Sequence, residues 1–274
     1  MDSEKQLSAK TDFKVVMVGD EHQLPPTVMS ESAKAGGLGV SLFERLLNLQ
    51  VPSFLLDVQY RMHPLISAFP NRHIYGGKLK DGVKASERKP PRGFMWTGNA
   101  QPVLLANVAD KESLSQWGTS KANIGQAALV EQMVISLLQC GVAAEDIGVI
   151  APYKAQVELV TSRLEDAGLG VARGVNAADD SDGAGLLEVK SVDGYQGREK
   201  EVIILSTVRS NEGGGVGFLD DRRRLNVAIT RAKRCLVIVG NAHTLSAGSE
   251  DWAALVSWLR ERGCVVNPRE FFVW

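Results

Sequence analysis

An α/β fold, with a mostly parallel sheet covered by helices on both faces, is predicted by three features of this 274-residue chain. Short apolar runs such as 103–108, 147–150, 202–207 and 235–239 lack polar alternation, as strands buried on both faces require. Between them stand amphipathic repeats at helical spacing, and glycine and proline punctuate the boundaries. The apolar fraction of 44% is ample for a packed core.

In chain order, residues 13–18 read as a buried strand ending at Gly19-Asp20, and 41–48 as a helix capped by Ser41 with Glu44 three residues on. A short strand over 54–58 leads to Tyr60-Arg61, and a helix starts at Pro64 and runs to about His73. The stretch with Gly76, Gly77, Pro90, Pro91, Gly93 and Gly98 is irregular, and loops of that length are usually functional or mobile. After strand 103–108, one helix buries Val130, Val134, Leu137 and Leu138; after strand 147–150, another buries Tyr153, Val157, Val160 and Leu164. Strands 187–189 and 202–207 flank the turn Asp193-Gly194-Tyr195-Gln196. A glycine-rich loop, 213–217, precedes helix 222–229 and strand 235–239, and the final helix turns Trp252, Leu255, Val256 and Leu259 inward.

Composition narrows the function classes. Lysine plus arginine (31) balances aspartate plus glutamate (32), so a polynucleotide site must be a local patch. Cys140, Cys235 and Cys264 are odd in number, widely spaced and flanked by apolar residues, which predicts reduced, buried thiols and an intracellular compartment, cytoplasm or nucleus. No apolar run approaches the ~20 residues of a membrane span, and the polar start predicts no signal peptide or anchor. The acidic tract with Asp179, Asp180, Asp182 and Gly183 fails as a calcium loop: with Gly183 sixth, Ala178 and Val189 stand where carboxylates are required. It reads as a solvated turn.

Four blocks carry the chemistry: Gly19-Asp20-Glu21-His22-Gln23-Leu24-Pro25-Pro26, Gln59-Tyr60-Arg61-Met62-His63-Pro64, Val192-Asp193-Gly194-Tyr195-Gln196-Gly197-Arg198-Glu199, and the run from Arg224 through Arg231 to Arg234. A guanidinium held at a helix end just before an apolar strand suits a triphosphate, since phosphoryl transfer needs charge neutralised and a water aimed in line. Taken singly, Arg231 could equally complement a helix C-terminus, Arg61 pair with a surface carboxylate, and Tyr60 fill a core. His22 and His63 read as spacers and packing groups.

In this order the blocks resemble motifs III to VI of superfamily 1 DNA/RNA helicases, in the branch with the nonsense-mediated-decay helicase, senataxin and the immunoglobulin mu-binding helicase. The resemblance implies a RecA-like domain over 57–274, preceded by the last strand and helix of a first such domain in 1–56. It implies that Arg61 and Arg231 converge on one pocket lip to approach the γ-phosphate of ATP, and that Gln23 senses that phosphate and orients the attacking water. Glu199 would hold the ribose hydroxyls and Tyr60 stack on the base, with Gly194 and Gly197 letting the backbone approach the nucleotide. For single-stranded RNA or DNA it implies contacts from Pro152, Tyr153, Ser191 and Asp193 at strand ends, where open α/β sheets collect ligands. Tyr153 with Pro152 could also be a strand-to-helix corner. The family commonly has threonine where this chain has Ala151, so one phosphate contact passes to the backbone or is lost.

No G-x-x-x-x-G-K-[ST] loop occurs, and Asp20-Glu21 belongs to the third motif and not to the acidic pair that holds magnesium. The chain therefore reads as the C-terminal half of an ATP-driven motor, and the resemblance implies an ATP-dependent helicase of usual 5′-to-3′ polarity. ATP and magnesium are expected in the complete enzyme, with the magnesium ligands outside this chain and a missing first RecA-like domain as the partner. A monomer without a membrane association is expected. The chain alone should hydrolyse ATP poorly. The other reading is a non-catalytic module binding nucleic acid or a partner helicase.

Overall fold

The computed structural model describes residues 14–91, 101–114, 119–172 and 185–268. It divides into two compact units, one containing Pro25–Phe54 with the stretch ending at Glu21, the other His22–Leu24 with Leu55 onward. In the smaller unit, α1 (Glu31–Ala35) starts where Ser30 Oγ accepts the Ala33 N–H, and α2 (Leu42–Asn48) where Ser41 Oγ accepts that of Glu44 at 3.1 Å. The second cap is the one the spacing predicts. The strand expected over 13–18 does not form: residues 14–18 carry no ladder, and Val15, Val16 and Val18 are exposed. An apolar strand of this type needs a neighbour for its backbone groups, and the described residues of this unit offer none.

The strand expected over 54–58 shrinks to β1 (Val58–Gln59), in the larger unit and paired in parallel with β2 (Lys80–Asp81), while Leu55 and Leu56 before it are exposed. Helix α3 (Pro64–His73) lies between them. Next come β3 (Val103–Asn107), the antiparallel pair β4 (Ser113–Leu114) and β5 (Lys121–Ala122), α4 (Ile124–Gln139), β6 (Ile147–Ile150) and α5 (Lys154–Asp166). Then follow β7 (Val171–Ala172), β8 (Leu187–Lys190), β9 (Lys200–Ser206), α6 (Arg222–Ile229), β10 (Ala232–Gly240), α7 (Ala242–Gly248), α8 (Glu250–Arg260) and β11 (Val265–Val266). The acidic tract with Asp179, Asp180, Asp182 and Gly183 lies outside the described residues.

Among the described residues, seven strands form one sheet in the order β11-β3-β10-β9-β6-β8-β7, every neighbouring pair parallel. Alternate residues of the central strands point to opposite faces. Leu104, Val149, Ile204 and Val237 pack against α4 and α5 through Val134, Leu137, Val160 and Leu164. Leu105, Ile150, Ile203 and Leu236 join the opposite core with Ile66, Leu225, Trp252 and Leu259 of α3, α6 and α8. Both faces are thus covered, which explains why these strands read as continuous apolar runs. The three cysteines are free, Cys235 and Cys264 buried, and burial pushes both of those thiols up.

The topology has one consequence for the functional blocks. Because β8 and β9 run the same way, the connection 191–199 must return from the sheet's C-terminal edge to its N-terminal edge, and α6 makes the same return before β10. The two segments pack along one sheet face. Tyr195 anchors the first of them, fully buried over Gly148 of β6, where a Cβ would overlap its hydroxyl.

Candidate nucleotide and nucleic-acid surfaces

The turn Gln59 to Pro64 is organised by side chains. Gln59 Oε1 accepts the N–H groups of Arg61 and Met62, at 3.1 and 2.8 Å, while its Nε2 donates to Met62 O at 2.9 Å. His63 then caps α3, its Nδ1 accepting the Leu65 N–H at 2.9 Å, with Pro64 in the first helical position where no N–H is needed. Burial holds the His63 imidazole below its ordinary pKa, partly offset by Asp81, which keeps the capping nitrogen an acceptor. Arg88 fixes the same turn from outside, donating to Arg61 O at 3.0 Å and Tyr60 O at 3.1 Å. Tyr60 is 66% exposed, so it is not the core tyrosine that the sequence left open.

Thr230, just past α6, is where the two arginines meet. Arg61 Nη1 donates to Thr230 O at 3.0 Å, and Arg231 Nη2 to Thr230 Oγ1 at 2.9 Å. Their positions on this face differ. Arg61 is partly exposed and pairs through Nε with Glu199, 138 residues away in sequence. Arg231 is only 2% exposed, its Nε on Val227 O at 3.0 Å and its Nη1 3.5 Å from Arg198 O. Of the two guanidiniums expected on one solvent-facing lip, Arg61 is partly exposed, while Arg231 is buried. The reason is local: at the end of α6, Val227 O accepts from Arg231 Nε beside a longer bond from the Thr230 N–H, which draws the guanidinium inward.

Glu199 belongs to the same cluster, with Lys233 Nζ 3.3 Å away. Burial would raise its carboxyl, but hydrogen bonds and charge from Arg61 and Lys233 override it and hold the group below its usual range. Gly197 reaches φ 79° two residues before, a left-handed turn with nothing near its missing Cβ. Gln23 arrives from the opposite end of the chain. Its neighbours are tied down: Asn226 Nδ2 donates to His22 O at 2.9 Å, Gln196 Nε2 to Leu24 O at 3.4 Å, and the His22 ring meets Tyr75 edge-on at 5.2 Å. The first and second blocks thus each contact the third and the fourth.

The strand-side residues lie at the other sheet edge. Pro152 and Tyr153 follow β6, and Tyr153 is buried at the N-cap of α5, its hydroxyl 3.2 Å from Arg209 Nη1. Its ring therefore forms the strand-to-helix corner. Ser191 and Asp193 follow β8; Ser191 Oγ accepts the Gly194 N–H at 3.1 Å, and exposed Asp193 faces Arg224 at 3.4 Å. Arg209 is gripped by Glu112, whose Oε2 accepts from Arg209 Nε at 2.9 Å, Ser210 N at 2.8 Å and Asn211 Nδ2 at 3.1 Å, with Lys121 on its other oxygen.

A family model described as an AAA domain matches residues 38–243, three quarters of the chain and every block but the first. The chain belongs to this family, as a superfamily 1 helicase domain. It is 42% identical over 255 residues to the regulator of nonsense transcripts 1 homolog of Neurospora crassa, an alignment covering 93% of this chain and 22% of that protein. To the Drosophila melanogaster homolog it is 40% identical over 254 residues, covering 93% and 21%. To the ATP-dependent helicase NAM7 of Saccharomyces cerevisiae it is 41% identical over 255 residues, covering 93% and 25%. The chain spans about a fifth to a quarter of the length of these relatives.

Several residues of this helicase domain escaped the sequence reading. Lys233, the second cation on Glu199, stood inside a quoted block without a role, and Arg88 stood in a loop with no pattern around it. Arg224 lies 5.6 Å from the ring centroid of Phe218, and Phe218 packs 5.5 Å from Tyr153, so these two residues join the Tyr153 corner to Asp193. The available signal was an aromatic directly after a glycine-rich loop. Among the described residues no cluster of His, Cys, Asp or Glu could hold a metal ion, and no helix is long and apolar enough to cross a membrane.

Proposed function

We propose that residues 57–274 act as the second RecA-like domain of an ATP-dependent helicase, with 1–56 completing a first, and that the Thr230 cluster is its side of the ATP cleft. The observation that carries this reading is the meeting of Arg61 and Arg231 at Thr230, with Glu199 and its second cation Lys233 held beside Arg61 and exposed Tyr60 alongside. Cations, a carboxylate and an open aromatic face match phosphates, ribose hydroxyls and a base. Arg61 would exchange the Glu199 carboxylate for γ-phosphate oxygens, leaving Glu199 to accept from the ribose. Arg231 would turn from the neutral carbonyl of Val227 to an anion, a stronger charge-assisted partner. Gln23 would aim a water. Magnesium supplies further phosphate neutralisation in such enzymes, and the residues here are not assigned to hold it.

The opposite sheet edge, with Pro152, Ser191 and Asp193, would line the groove for single-stranded RNA or DNA. Helix α6 and the segment 191–199 connect the two edges, so closure around ATP would be felt where the strand lies. Translocation 5′ to 3′ is what the family resemblance adds. Burial of Arg231 favours a second reading, a non-catalytic module that binds nucleic acid or a partner helicase. The two separate on one comparison: joining the chain to an upstream domain with a phosphate loop and acidic pair is expected to give polynucleotide-stimulated ATP turnover that the chain alone lacks. A joined, folded polypeptide without turnover would favour the module.

A further inference from the structure

Phe218 occupies a short 3₁₀ turn, Gly217–Asp220, beside the corner that follows β6, and it is 58% exposed. Exposed aromatics are unremarkable singly. This one is held in place from several directions. Its ring is tilted 46° against the buried Tyr153 ring, and the Arg224 guanidinium approaches it within cation–π range. Beneath it, Gly217 takes φ 58°, and a Cβ there would run into Arg209 Nη1 and Tyr153 Oη, so the turn seats against that pair only because residue 217 is glycine.

The bracing extends into the core. Val208, fully buried, holds φ 69°, a conformation that a β-branched residue adopts only at a cost. Side chains enforce it: its N–H donates to Gln126 Oε1 at 2.8 Å, and its carbonyl accepts from Asn123 Nδ2 at 3.1 Å. That turn sends Arg209 toward Tyr153 and Glu112 instead of along the strand direction. A pre-set aromatic face, next to a cation and to an edge assigned to nucleic acid, has the make-up of a stacking platform for single strands.

We propose that Phe218 stacks on one base of the bound single strand, with Arg224 positioned to leave Asp193 for the adjoining phosphate. This inference rests on the strand-binding reading of the same edge. The test measures binding of the 274-residue chain to homopolymeric RNA and DNA and to an abasic strand of equal length, across a salt series. Phe218→Ala is expected to weaken binding of the base-bearing strands by about 5- to 150-fold, the range for loss of one aromatic–base stack, with Phe218→Trp restoring it. Abasic-strand affinity and the salt slope should be unchanged, since no phosphate contact is removed.

An equal loss on the abasic strand would mean a structural defect and overturn the proposal. So would undiminished binding of the base-bearing strands by the alanine variant, or failure of tryptophan to restore it. A parent chain that binds strands while Phe218→Ala binds equally well sinks only the stacking role; a parent that binds none sinks the strand-binding reading with it.

Discussion

Replacing Arg231 with alanine, in a polypeptide joining this chain to a phosphate-loop domain, is expected to lower polynucleotide-stimulated ATP turnover by about 10³-fold or more, the scale of an arginine acting on a transferring phosphoryl group. Arg61→Ala should fall in the same range, because both guanidiniums converge on Thr230. The two losses should not add, as residues acting on one transition state rarely do. The structure makes the Arg231 result the more informative of the pair. Its guanidinium now satisfies Val227 O at the end of α6, so a merely structural role would show as lost stability with turnover falling only in proportion to unfolded protein. Measuring kcat beside the urea midpoint separates the cases. Turnover unchanged in a stable Arg231→Ala protein would remove Arg231 from the ATP chemistry.

The second large effect is on stability. Glu112 is mostly buried, and burial alone would raise its carboxyl; hydrogen bonds from Lys121, Arg209, Asn211 and the Ser210 N–H override this and hold it at about 2, against an ordinary 4.5. The folded state therefore binds this proton less readily than the unfolded chain. Its contribution is fully present above about pH 4.5 and is lost as pH falls toward about 2. Converted at 1.36 kcal/mol per unit, the group is worth about 3 kcal/mol at neutral pH. Glu112→Gln should cost a similar amount at pH 7, because the buried charge of Arg209 loses its partner, and should flatten the acid limb of the stability profile. Urea unfolding of parent and variant across this range checks both. An unchanged midpoint at pH 7, or parallel profiles, would show that Glu112 does not anchor Arg209.

Much of the sheet could be read from sequence because its strands are buried on both faces, which turns a topological fact into runs such as 202–205 and 235–239. Helices α2, α3 and α6 were equally legible, α2 from its Ser41 cap and α3 from Pro64, whereas the capping roles of His63, read as a spacer or packing group, and of Asp221 were found only in the structure. Residues 13–18 and 54–58 have the same strand composition, yet 14–18 stay unpaired and 54–58 contributes only Val58; apolar content licenses a strand, and a neighbouring ladder makes one. The grouping of Arg61, Glu199 and Arg231 was legible only through the order of the blocks. The helix-end contact of Arg231 and the carboxylate pair of Arg61 are the alternatives the sequence left open for each arginine, and periodicity could not name Val227 O or Glu199 as the partners. Phe218 and Arg209 were hidden for a related reason, since their placement depends on the strained backbone of Val208 and the missing Cβ of Gly217.

The central claim is spatial: the cluster around Thr230 faces the terminal phosphate of ATP. It is tested most directly by photolysis of an ATP analogue carrying its reactive group on the γ-phosphate, bound to the joined polypeptide and followed by peptide mapping. Label should appear on the peptides that contain Arg61 and Arg231, and excess ATP should suppress it. Competable label confined to other parts of the chain, with those two peptides clean, would contradict the account.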